Sequence, residues 1–358
     1  MRILQVITPQ RVSGAERSTT SLCEHLQAAG HHVVVACKVG SPLIPLMKYT
    51  GVDVRALRIA GKANLLAPIR LVTLARAERA AVIHTHLSTA AMHGATASFL
   101  TGLPVVSHVR ALNSAFCFRR ATRLIAVSEA VRDHMVAQGI ERERIDVVYS
   151  GIDAARYFLP CSREDAKRRM GLPTDTVMCG LVGHLSPKKG HAVFLDALQA
   201  LHQKYPALMA VFVGEGTEQD ALEARVAAMG LQGRVIFAGY QENPLPYYAA
   251  MDLVVLPSID GEGLPRALLE GGMLGRACIG SRLSGVPEII RNGETGLITP
   301  VGDSAALTEA IDTLCGDPGL REHMGTTAEE WIRETFTVKA MIEGTLKSYR
   351  AAGCVMDD

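Results

Sequence analysis

The sequence predicts an α/β protein with two doubly wound parallel sheets, and three observations lead to this prediction. Short apolar runs rich in valine and isoleucine recur along the 358 residues, with longer stretches of helical spacing between them. Strands that are apolar at almost every position are typical of parallel sheets buried on both faces by helices. The alternation fades over residues 155–172 and then resumes, and a chain of this length exceeds one ordinary hydrophobic core. We therefore expect two Rossmann-like domains, at residues 1–160 and 161–335.

Each apolar run predicts one strand. The first series is ILQVIT (3–8), HVVVAC (32–37), VDVRAL (52–57), AVIHTH (81–86), PVVSHV (104–109), RLIAVS (123–128) and IDVVYS (145–150). The second series is VMCGLVG (177–183), ALMAVFVG (207–214), RVIFAG (234–239), LVVLPS (253–258), ACIGS (277–281) and GLITP (296–300). Ligands of open parallel sheets bind beyond the carboxyl ends of the strands, so the expected site is a central cleft that the two domains face.

Composition excludes several classes of protein. With 48% hydrophobic residues, 20% charged residues and 33 glycines, the chain is globular rather than disordered or fibrous. No apolar run approaches the ~20 residues of a membrane span, and the N-terminal MRILQVITP is too short for the apolar core of a signal peptide. No short repeat is visible, which argues against a solenoid.

Cysteine usage and charge describe the expected surroundings of the protein. Eight cysteines are scattered without a CxxC motif, which favours reduced thiols in a cytosolic protein and argues against zinc. The net charge is +1, but the chain through Arg156 holds 19 Lys+Arg against 10 Asp+Glu, and the remainder holds 18 against 26. The basic half predicts an anionic partner, or else a charged surface that serves only solubility.

The stretch DGEGLPRALLEGG (260–272) carries two glutamates at a strand, turn and helix junction. The first amides of a helix and its macrodipole make such a junction an anion site, and Pro265 suits the first helical turn. Glu270 falls in the second turn, where a carboxylate can accept hydrogen bonds from vicinal hydroxyls. One interpretation is a diphosphate at the helix start with a sugar ring on each side, held by Glu262 and Glu270. The alternative is two solvated acids.

A basic turn follows the first strand of the second series. In VGHLSPKKG (182–190), Lys188 and Lys189 precede a helix that begins near Gly190, so one ammonium can reach a phosphate. His184 could supply a further donor. A solvated basic turn explains the same residues equally well.

Two glycine turns carry less information. Gly14 in QRVSGAER (10–17) either lets a ligand approach the backbone or marks an ordinary strand-to-helix turn. The turn GEGTEQD (214–220) also ends a strand, and we interpret it as mostly structural.

Polar side chains end three consecutive strands of the first series. His84, His86, His108 and Arg110 are predicted to form a polar wall of the cleft, with at least one of them in the active site. A buried histidine with satisfied hydrogen bonds is the alternative for any one ring. Ser128 ends the next strand, either as a helix N-cap or as part of the acceptor side.

Several motifs of phosphate chemistry are absent. The sequence has no Walker loop, no GxSxG and no DxD motif outside the predicted helices. We therefore expect lysine, arginine and backbone amides to offset phosphate charge, without a metal or another cofactor. We expect no nucleic-acid partner.

The sequence resembles glycosyltransferase family 4, the retaining, two-domain GT-B enzymes that transfer sugars from nucleoside diphosphates. The resemblance covers nearly the whole chain, and EGLPRALLE followed by GVPEII and TGL is its most specific part. The matching motifs are SGAER, IAVSEAVRDHM (125–135), VVYSGID (147–153), VGHLSPKKG, VGEG (213–216), LPSIDGEGLPRALLEGG, SGVPEII (284–290), NGETGLITPVGD (292–303) and FTVKAMIEGTLKSYR (336–350).

The resemblance implies roles for individual residues. Glu270 would hold the ribose hydroxyls, Glu262 the transferred sugar and Lys189 a phosphate, and His184 stands where the family usually has arginine. The family's TxH pattern aligns with SHVR, which makes His108 and Arg110 catalytic candidates beside Lys189 and Glu262. The implied donor-binding set is completed by Gly14, Gly214, Gly263, Leu264 and Pro265, and the acceptor side by His84, His86 and Ser128. The segment 336–358 is expected to pack back on the first domain as a helix.

The function implied is that of a retaining glycosyltransferase acting on a glycan or lipid-linked acceptor, in bacterial cell-surface polysaccharide or lipopolysaccharide biosynthesis. A cytoplasmic location follows, at the inner face of the membrane if AFCFRRATR (115–123) contacts anionic lipid. That segment is otherwise a surface connection. Two alternatives remain open: a GT-B sugar-nucleotide epimerase, and a non-catalytic partner that binds nucleotide sugars.

Overall fold

The computed structural model describes residues 1–158 and 161–355. These residues form two compact units, one comprising Met1–Gly151 with the C-terminal segment from Phe336, and the other comprising Ile152–Thr335. The predicted boundary at residue 160 lies outside the described residues, as do residues 356–358 of the predicted terminal segment.

Helices and strands alternate along the chain. The elements up to residue 151 are β1 (Arg2–Ile7), α1 (Gly14–Ala28), β2 (His32–Lys38), α2 (Leu43–Tyr49), β3 (Asp53–Leu57), α3 (Ala67–Ala77), β4 (Val82–His86), α4 (Ser88–Thr101), β5 (Val105–Val109), β6 (Arg123–Ala126), α5 (Glu129–Ala137) and β7 (Ile145–Val147). Those that follow are α6 (Arg163–Arg169), β8 (Val177–Val182), α7 (His191–Leu201), β9 (Leu208–Val213), α8 (Gln219–Ala228), β10 (Val235–Gly239), α9 (Leu245–Ala250), β11 (Leu253–Leu256), α10 (Arg266–Met273), β12 (Ala277–Ser281), α11 (Val286–Ile289), β13 (Gly296–Thr299), α12 (Ser304–Gly316), α13 (Pro318–Thr335) and α14 (Val338–Ala351).

The first unit contains a parallel sheet of seven strands among the described residues, in the order β3-β2-β1-β4-β5-β6-β7. Strand β1 pairs with β2 on one side and with β4 on the other, so Ile7 lies opposite both Cys37 and His86. The order of the strands reverses at β1 and β4, and such a switch point is where doubly wound sheets bind ligands.

The second unit contains a parallel sheet of six strands within the same described ranges, in the order β10-β9-β8-β11-β12-β13. Strand β8 pairs with β9 and β11, and Cys179 of β8 lies opposite Leu253 of β11. The switch point of this sheet is therefore at β8 and β11. Every apolar run singled out in the sequence forms a strand, and the predicted α/β architecture is confirmed.

Helix α14 belongs to the first unit. It packs on α1, β6 and β7, and Ser348 Oγ donates a hydrogen bond to Asp146 Oδ2 at 2.7 Å. The same Asp146 receives two hydrogen bonds from Arg123 at 2.9 and 3.0 Å. The fully buried Tyr349 of α14 joins the hydrophobic core of the first unit. The C-terminal helix thus contributes both apolar and polar contacts to a sheet formed by residues distant in sequence.

None of the eight cysteines, all of which lie in the described residues, is part of a disulfide. Among the helices that can be described, none combines the length and the apolar character needed to cross a bilayer.

Candidate active site

Two loops meet at the switch point of the second sheet. One follows β8 and leads to α7, and the other follows β11 and leads to α10. The backbone N–H of Ile259 donates to the carbonyl of Lys188 at 2.8 Å, which ties the loops together. Gly190 has φ +73°, and a Cβ built there would lie 1.9 Å from the carbonyl oxygen of Pro257. Only glycine fits this approach, because any side chain would collide with backbone.

Lys189 and Glu262 form an ion pair between these loops. Lys189 Nζ donates to Glu262 Oε1 at 2.6 Å, and Ser258 Oγ donates to the same oxygen at 2.5 Å. Glu262 and Ser258 are buried, whereas Lys189 is half-buried. The two residues that the sequence assigned to phosphate and sugar therefore contact each other directly. Ser258 was missed, although it ends a run predicted to be a strand.

The second lysine of the turn makes a more exposed pair. Lys188 Nζ lies 2.8 Å from Asp260 Oδ2, and both side chains are largely in solvent. The hydrogen bond from Lys188 lowers the pKa of the Asp260 carboxyl. Pairs of this kind add little stability. Of the two candidate cations, Lys189 is the one built into the site.

Glu270 is held by an arginine and a tyrosine. Its Oε1 accepts hydrogen bonds from Arg266 Nε at 2.6 Å and from the Tyr157 hydroxyl at 2.9 Å. Arg266 Nη2 also donates to the Tyr157 oxygen at 2.8 Å, which closes a triangle. Burial, with Glu270 as the second cause, raises the pKa of Tyr157. The carboxylate that the sequence predicted to bind hydroxyls already binds one, supplied by the protein.

Arg266 and Tyr157 were missed by the sequence reasoning. The spacing of Arg266 and Glu270 is the i,i+4 spacing of helical ion pairs and could have identified the first. Nothing local identifies Tyr157. Nη1 of Arg266 is buried without a hydrogen-bond partner, so one strong donor of this cluster is unsatisfied.

Three residues connect Glu262 to the start of α10. Gly263 is buried, Leu264 is half-buried, and Pro265 has an extended conformation as the N-cap. Pro265 was predicted in the first helical turn, but it is the residue before the helix, because its ψ of 112° is not helical. The predicted strand, turn and helix are confirmed, and phosphate binding at the helix amides stays a prediction.

Gly214 has a structural reason to be glycine. It has φ +152°, and a Cβ built there would lie 1.9 Å from the carbonyl oxygen of Gly183. The turn after β9 thereby packs against the loop after β8, in which His184 is half-buried. The direct donor contacts predicted for Gly214 and His184 stay predictions.

The strand ends of the first unit bring three histidines together. His84, His86 and His108 are fully buried or nearly so, and their rings stack with centroids 4.4 to 5.5 Å apart. Arg110 Nη2 lies 3.3 Å from Nδ1 of His86 and 3.5 Å from Nδ1 of His108. The sequence predicted these four residues as neighbours, with a polar wall of the cleft or buried rings as the two alternatives. The three rings are buried, and a place in the active site stays a prediction for all four residues. Only Arg110 is half-buried.

Burial and the guanidinium keep the three rings neutral. Burial, assisted by the positive charge of Arg110, lowers the pKa of His84 to about 3. The pKa values of His86 and His108 are lowered well below the usual range, again mainly by burial. An imidazole in this state offers one N–H donor and one acceptor nitrogen.

A hydrogen-bonded chain fixes which nitrogen of the His86 ring carries the proton. Arg110 donates to His86 Nδ1, so the proton of His86 resides on Nε2, which donates to Gln5 Oε1 at 2.7 Å. The Gln5 amide donates to the Tyr349 hydroxyl at 3.2 Å, and that hydroxyl shares a hydrogen bond of 2.6 Å with His84 Nδ1. Gln5 and Tyr349 were missed in the sequence, where neither carries a local signal.

The same bonds bear on metal binding. One nitrogen of each ring lies within 4.8 Å of the others, a spacing that could suit a cation. However, Arg110 occupies Nδ1 of both His86 and His108 and places a positive charge beside the rings. The stacked, guanidinium-bound arrangement therefore favours a neutral hydrogen-bonded cluster over a metal site.

The backbone is strained directly after the cluster. Leu87 has φ +69° and ψ 158°, a conformation that a side chain with a Cβ rarely adopts. Strain of this kind collects at functional sites, where the surroundings hold it in place. Leu87 is a further residue that the sequence did not indicate.

Gly14 and Ser128 have the structural roles that the sequence left open. Gly14 is the first residue of α1, and Ser13 before it forms a capping box with Glu16. Ser128 is buried and caps α5 by accepting a hydrogen bond from the N–H of Val131 at 3.2 Å. Their contacts with substrates stay predictions.

Comparison with known proteins places this geometry in a family. Residues 12–156 match the family described as Glycosyltransferase Family 4, and residues 162–331 match Glycosyl transferases group 1. The D-inositol 3-phosphate glycosyltransferase of Acidothermus cellulolyticus is 30% identical over 310 residues, which cover 76% of this chain and 67% of that protein. The lipopolysaccharide core biosynthesis glycosyltransferase LpsE of Rhizobium meliloti is 28% identical over 181 residues, 51% of this chain and about half, 52%, of LpsE.

A solved structure supports the fold. Anabaena HepE in complex with UDP-glucose superimposes with a TM-score of 0.89 at 23% identity, and the match covers 98% of this chain and 100% of that chain. At this level of identity the likeness concerns the fold, two parallel-sheet domains of the GT-B type. The chain therefore belongs to glycosyltransferase family 4 and has the GT-B fold.

Proposed function

We propose that this protein is a retaining glycosyltransferase that uses a nucleoside diphosphate sugar as donor. The observation that carries the proposal is the pairing of Lys189 with Glu262 at the switch point of the second sheet, beside the start of α10. A buried carboxylate and a partly exposed ammonium at a helix start can exchange their mutual contact for contacts with a sugar and a phosphate.

Donor binding would separate the roles of this pair. A diphosphate at the start of α10 would compete for the ammonium of Lys189, which is partly accessible to solvent. Glu262 would retain Ser258 as a donor to Oε1 and would turn its remaining acceptor capacity to hydroxyls of the transferred sugar. The ion pair of the free protein would thus hold both side chains in place before the ligand arrives.

Glu270 and Arg266 would receive the nucleoside. The Glu270 carboxylate can accept hydrogen bonds from vicinal ribose hydroxyls, and it is held in position by Arg266 and Tyr157. The buried Nη1 of Arg266, which lacks a partner, would gain an acceptor in the ligand. Fixing a carboxylate in advance reduces the entropy lost on binding.

The proposed reaction breaks the bond between the anomeric carbon and the diphosphate oxygen, and the electron pair leaves with that oxygen. The acceptor oxygen then bonds to the same face of the anomeric carbon, and its proton passes to the departing phosphate. Lys189, His184 and the amides before α10 would stabilise charge that grows on the leaving group. We propose that these groups offset the charge and that the reaction requires neither a metal ion nor another cofactor.

The acceptor is proposed as a glycan or a lipid-linked glycan, in bacterial cell-surface polysaccharide or lipopolysaccharide biosynthesis. The relative LpsE, named for lipopolysaccharide core biosynthesis, supports this class. The unpaired cysteines support a cytoplasmic location, which we propose at the inner face of the membrane.

One assay tests the reaction class. The purified chain is incubated with UDP, GDP and ADP sugars, with and without a lipid-linked glycan acceptor, in the presence of a chelator. Transfer with retained anomeric configuration is expected. Conversion of a nucleotide sugar into another without an acceptor would identify an epimerase, and binding without any turnover would identify a non-catalytic partner. Either result, or a requirement for metal, would overturn the corresponding part of the proposal.

A further inference from the structure

Among the large apolar side chains that the first unit exposes to solvent, four lie in two segments that are close together. The exposed fractions are 87% for Leu65, 55% for Leu66, 54% for Ile69 and 71% for Phe116. Leu65 and Leu66 lie directly before α3, Ile69 lies in its first turn, and Phe116 lies in a short 3-10 turn at Ala115–Cys117. Single exposed apolar residues are ordinary, but a group of them indicates a binding surface.

The segments that carry these side chains are neighbours. Lys62 Nζ, just before α3, lies 3.6 Å from the sulfur of Cys117 in the 3-10 turn. His93 of α4 lies 2.9 Å from the carbonyl of Gly61. Helix α4 packs on both α3 and the 3-10 turn. We call Leu65, Leu66, Ile69 and Phe116 the apolar platform.

The chain around the apolar platform is cationic. From Val54 to Ser128 the sequence holds a single acidic residue, Glu78, and ten lysines and arginines. That acid is itself bonded to Arg2 at 3.3 Å and to Arg55 at 3.4 Å. The cations next to the apolar platform in sequence are Arg58, Lys62, Arg70, Arg119 and Arg120, all but the half-buried Arg70 exposed.

Arg123 does not belong to this surface. The sequence suggested it with Arg119 and Arg120 as a contact for anionic lipid, but its guanidinium binds Asp146 at 2.9 and 3.0 Å. It is only half-buried and serves to join β6 to β7. Because its charge is already paired with Asp146, Arg123 is not counted among the cations of this surface.

We propose that the apolar platform and its surrounding cations form a docking surface for an anionic lipid bilayer. Apolar side chains ringed by arginine and lysine match the interface of a membrane, where the first enter the acyl boundary and the second contact anionic headgroups. A soluble polyanion would use the cations alone and leave the apolar side chains in water. Docking would bring the enzyme to an acceptor that is anchored in the membrane. In this respect the inference rests on the proposed function, which assigns a lipid-linked acceptor.

Co-sedimentation with vesicles tests this surface without measuring the reaction. The full chain is mixed with vesicles of phosphatidylcholine alone, or with about 30% phosphatidylglycerol added, at low and at physiological salt. Arg119→Gln with Arg120→Gln is expected to lower the partition coefficient about 25-fold, since each cation contributes about fivefold. Leu65→Ser with Phe116→Ser is expected to lower it at least about tenfold.

Matched controls separate docking from general effects. Lys347→Gln with Arg350→Gln removes two exposed cations from α14, and Tyr240→Ser removes an exposed aromatic ring from the second unit. Both controls are expected to bind vesicles as the unaltered chain does. Thermal unfolding of each variant verifies that it is folded.

Three results would overturn the proposal. They are equal binding to both vesicle types, variants that bind as tightly as the controls, or complete competition by heparin with no effect of Leu65→Ser and Phe116→Ser. The last would indicate a soluble polyanion site instead. Failure here leaves donor binding intact, so it is distinguishable from failure of the proposed reaction.

Discussion

Lys189 Nζ and Glu262 Oε1 lie 2.6 Å apart, and the two residues come from different loops of the second sheet. The carbonyl of Lys188 and the N–H of Ile259 join the same loops through the backbone. A cation and an anion that each could bind one end of a nucleotide sugar are thus held together before any ligand is present. The contact makes the site self-neutralising in the free protein and gives each side chain a defined position.

Glu262→Gln tests the carboxylate while keeping its shape. The amide loses a charge-assisted hydrogen bond worth about 1.5–3 kcal/mol. If that bond acts in the transition state, turnover falls about 10- to 150-fold. Steady-state kinetics measure the change, with thermal unfolding as the check on folding. Unchanged turnover would remove Glu262 from the site.

The triangle around Glu270 predicts two unequal losses of stability. Tyr157→Phe removes one hydrogen bond and is expected to lower the free energy of unfolding by about 0.5–1.5 kcal/mol. Arg266→Gln leaves a buried carboxylate without its cation and is expected to cost about 3–5 kcal/mol. Denaturant unfolding followed by a probe in the second unit compares them. Equal losses would show that the ion pair does not dominate this cluster.

Gly190→Ala tests the close approach of the two loops. Gly233 is the matched control, because it has a similar φ of +78° but no atom within 4 Å of a built Cβ. Gly233→Ala is expected to cost about 1 kcal/mol for its left-handed backbone. Gly190→Ala should cost about 1–3 kcal/mol more, because its Cβ meets the Pro257 carbonyl, and should weaken donor binding. Similar losses in the two variants would argue against a fixed pair of loops.

The buried histidines predict loss of stability in acid. A histidine whose pKa is lowered on folding binds protons more readily in the unfolded chain. Its contribution is fully present above the unfolded pKa of about 6.5 and is lost as the pH falls toward the folded value. That value is about 3 for His84 and about 4 for His191, which is buried at the start of α7. The free energy of unfolding should therefore decrease steadily below pH 6.5.

A single substitution measures how much His84 contributes to the dependence of the free energy of unfolding on pH. His84→Gln removes one titrating group and should reduce the dependence by up to about 1.4 kcal/mol per pH unit. His323→Gln, at an exposed position, is the control for replacing a histidine that is not buried. Denaturant titrations from pH 7 to pH 4 measure both. A slope unaffected by His84→Gln would contradict a neutral, buried His84.

The fold could be predicted because the apolar runs act locally. Each run has the length of a strand and is apolar at most positions, as expected for a sheet buried on both faces. Strands β4 and β5, which are buried throughout, were therefore recognisable from their own residues. The ends of helices were less accurate. Pro265 has an extended backbone just before α10, and its ring alone does not determine whether it lies inside or outside the first turn.

The site was predicted in part, and its missing members come from distant segments. Glu262, Glu270 and Lys189 carry local signals, because each follows a strand and borders a helix. Tyr157 binds Glu270 across 113 positions, and Tyr349 binds His84 across 265. Such partners are selected by tertiary packing, which no short motif records.

For the histidine rings, the sequence offered burial as one of two alternatives but could not decide between them. Alternation along a strand indicates which residues share a face, but whether that face is covered depends on segments that pack there later in the chain. Helix α14 is such a segment, and its Tyr349 forms a hydrogen bond with His84. The sequence therefore left a polar cleft wall and a buried ring as alternatives, while the adjacency of the strands that carry the rings was correct.

Calorimetric titration of the unaltered chain with UDP, GDP and ADP sugars tests the central claim most directly. At least one of these donors is expected to bind in the presence of a chelator, and Lys189→Gln and Glu270→Gln should each weaken that binding by about tenfold or more. Absence of binding heat with every donor at several temperatures, or affinities that neither substitution changes, would contradict a donor site at the switch point of the second sheet.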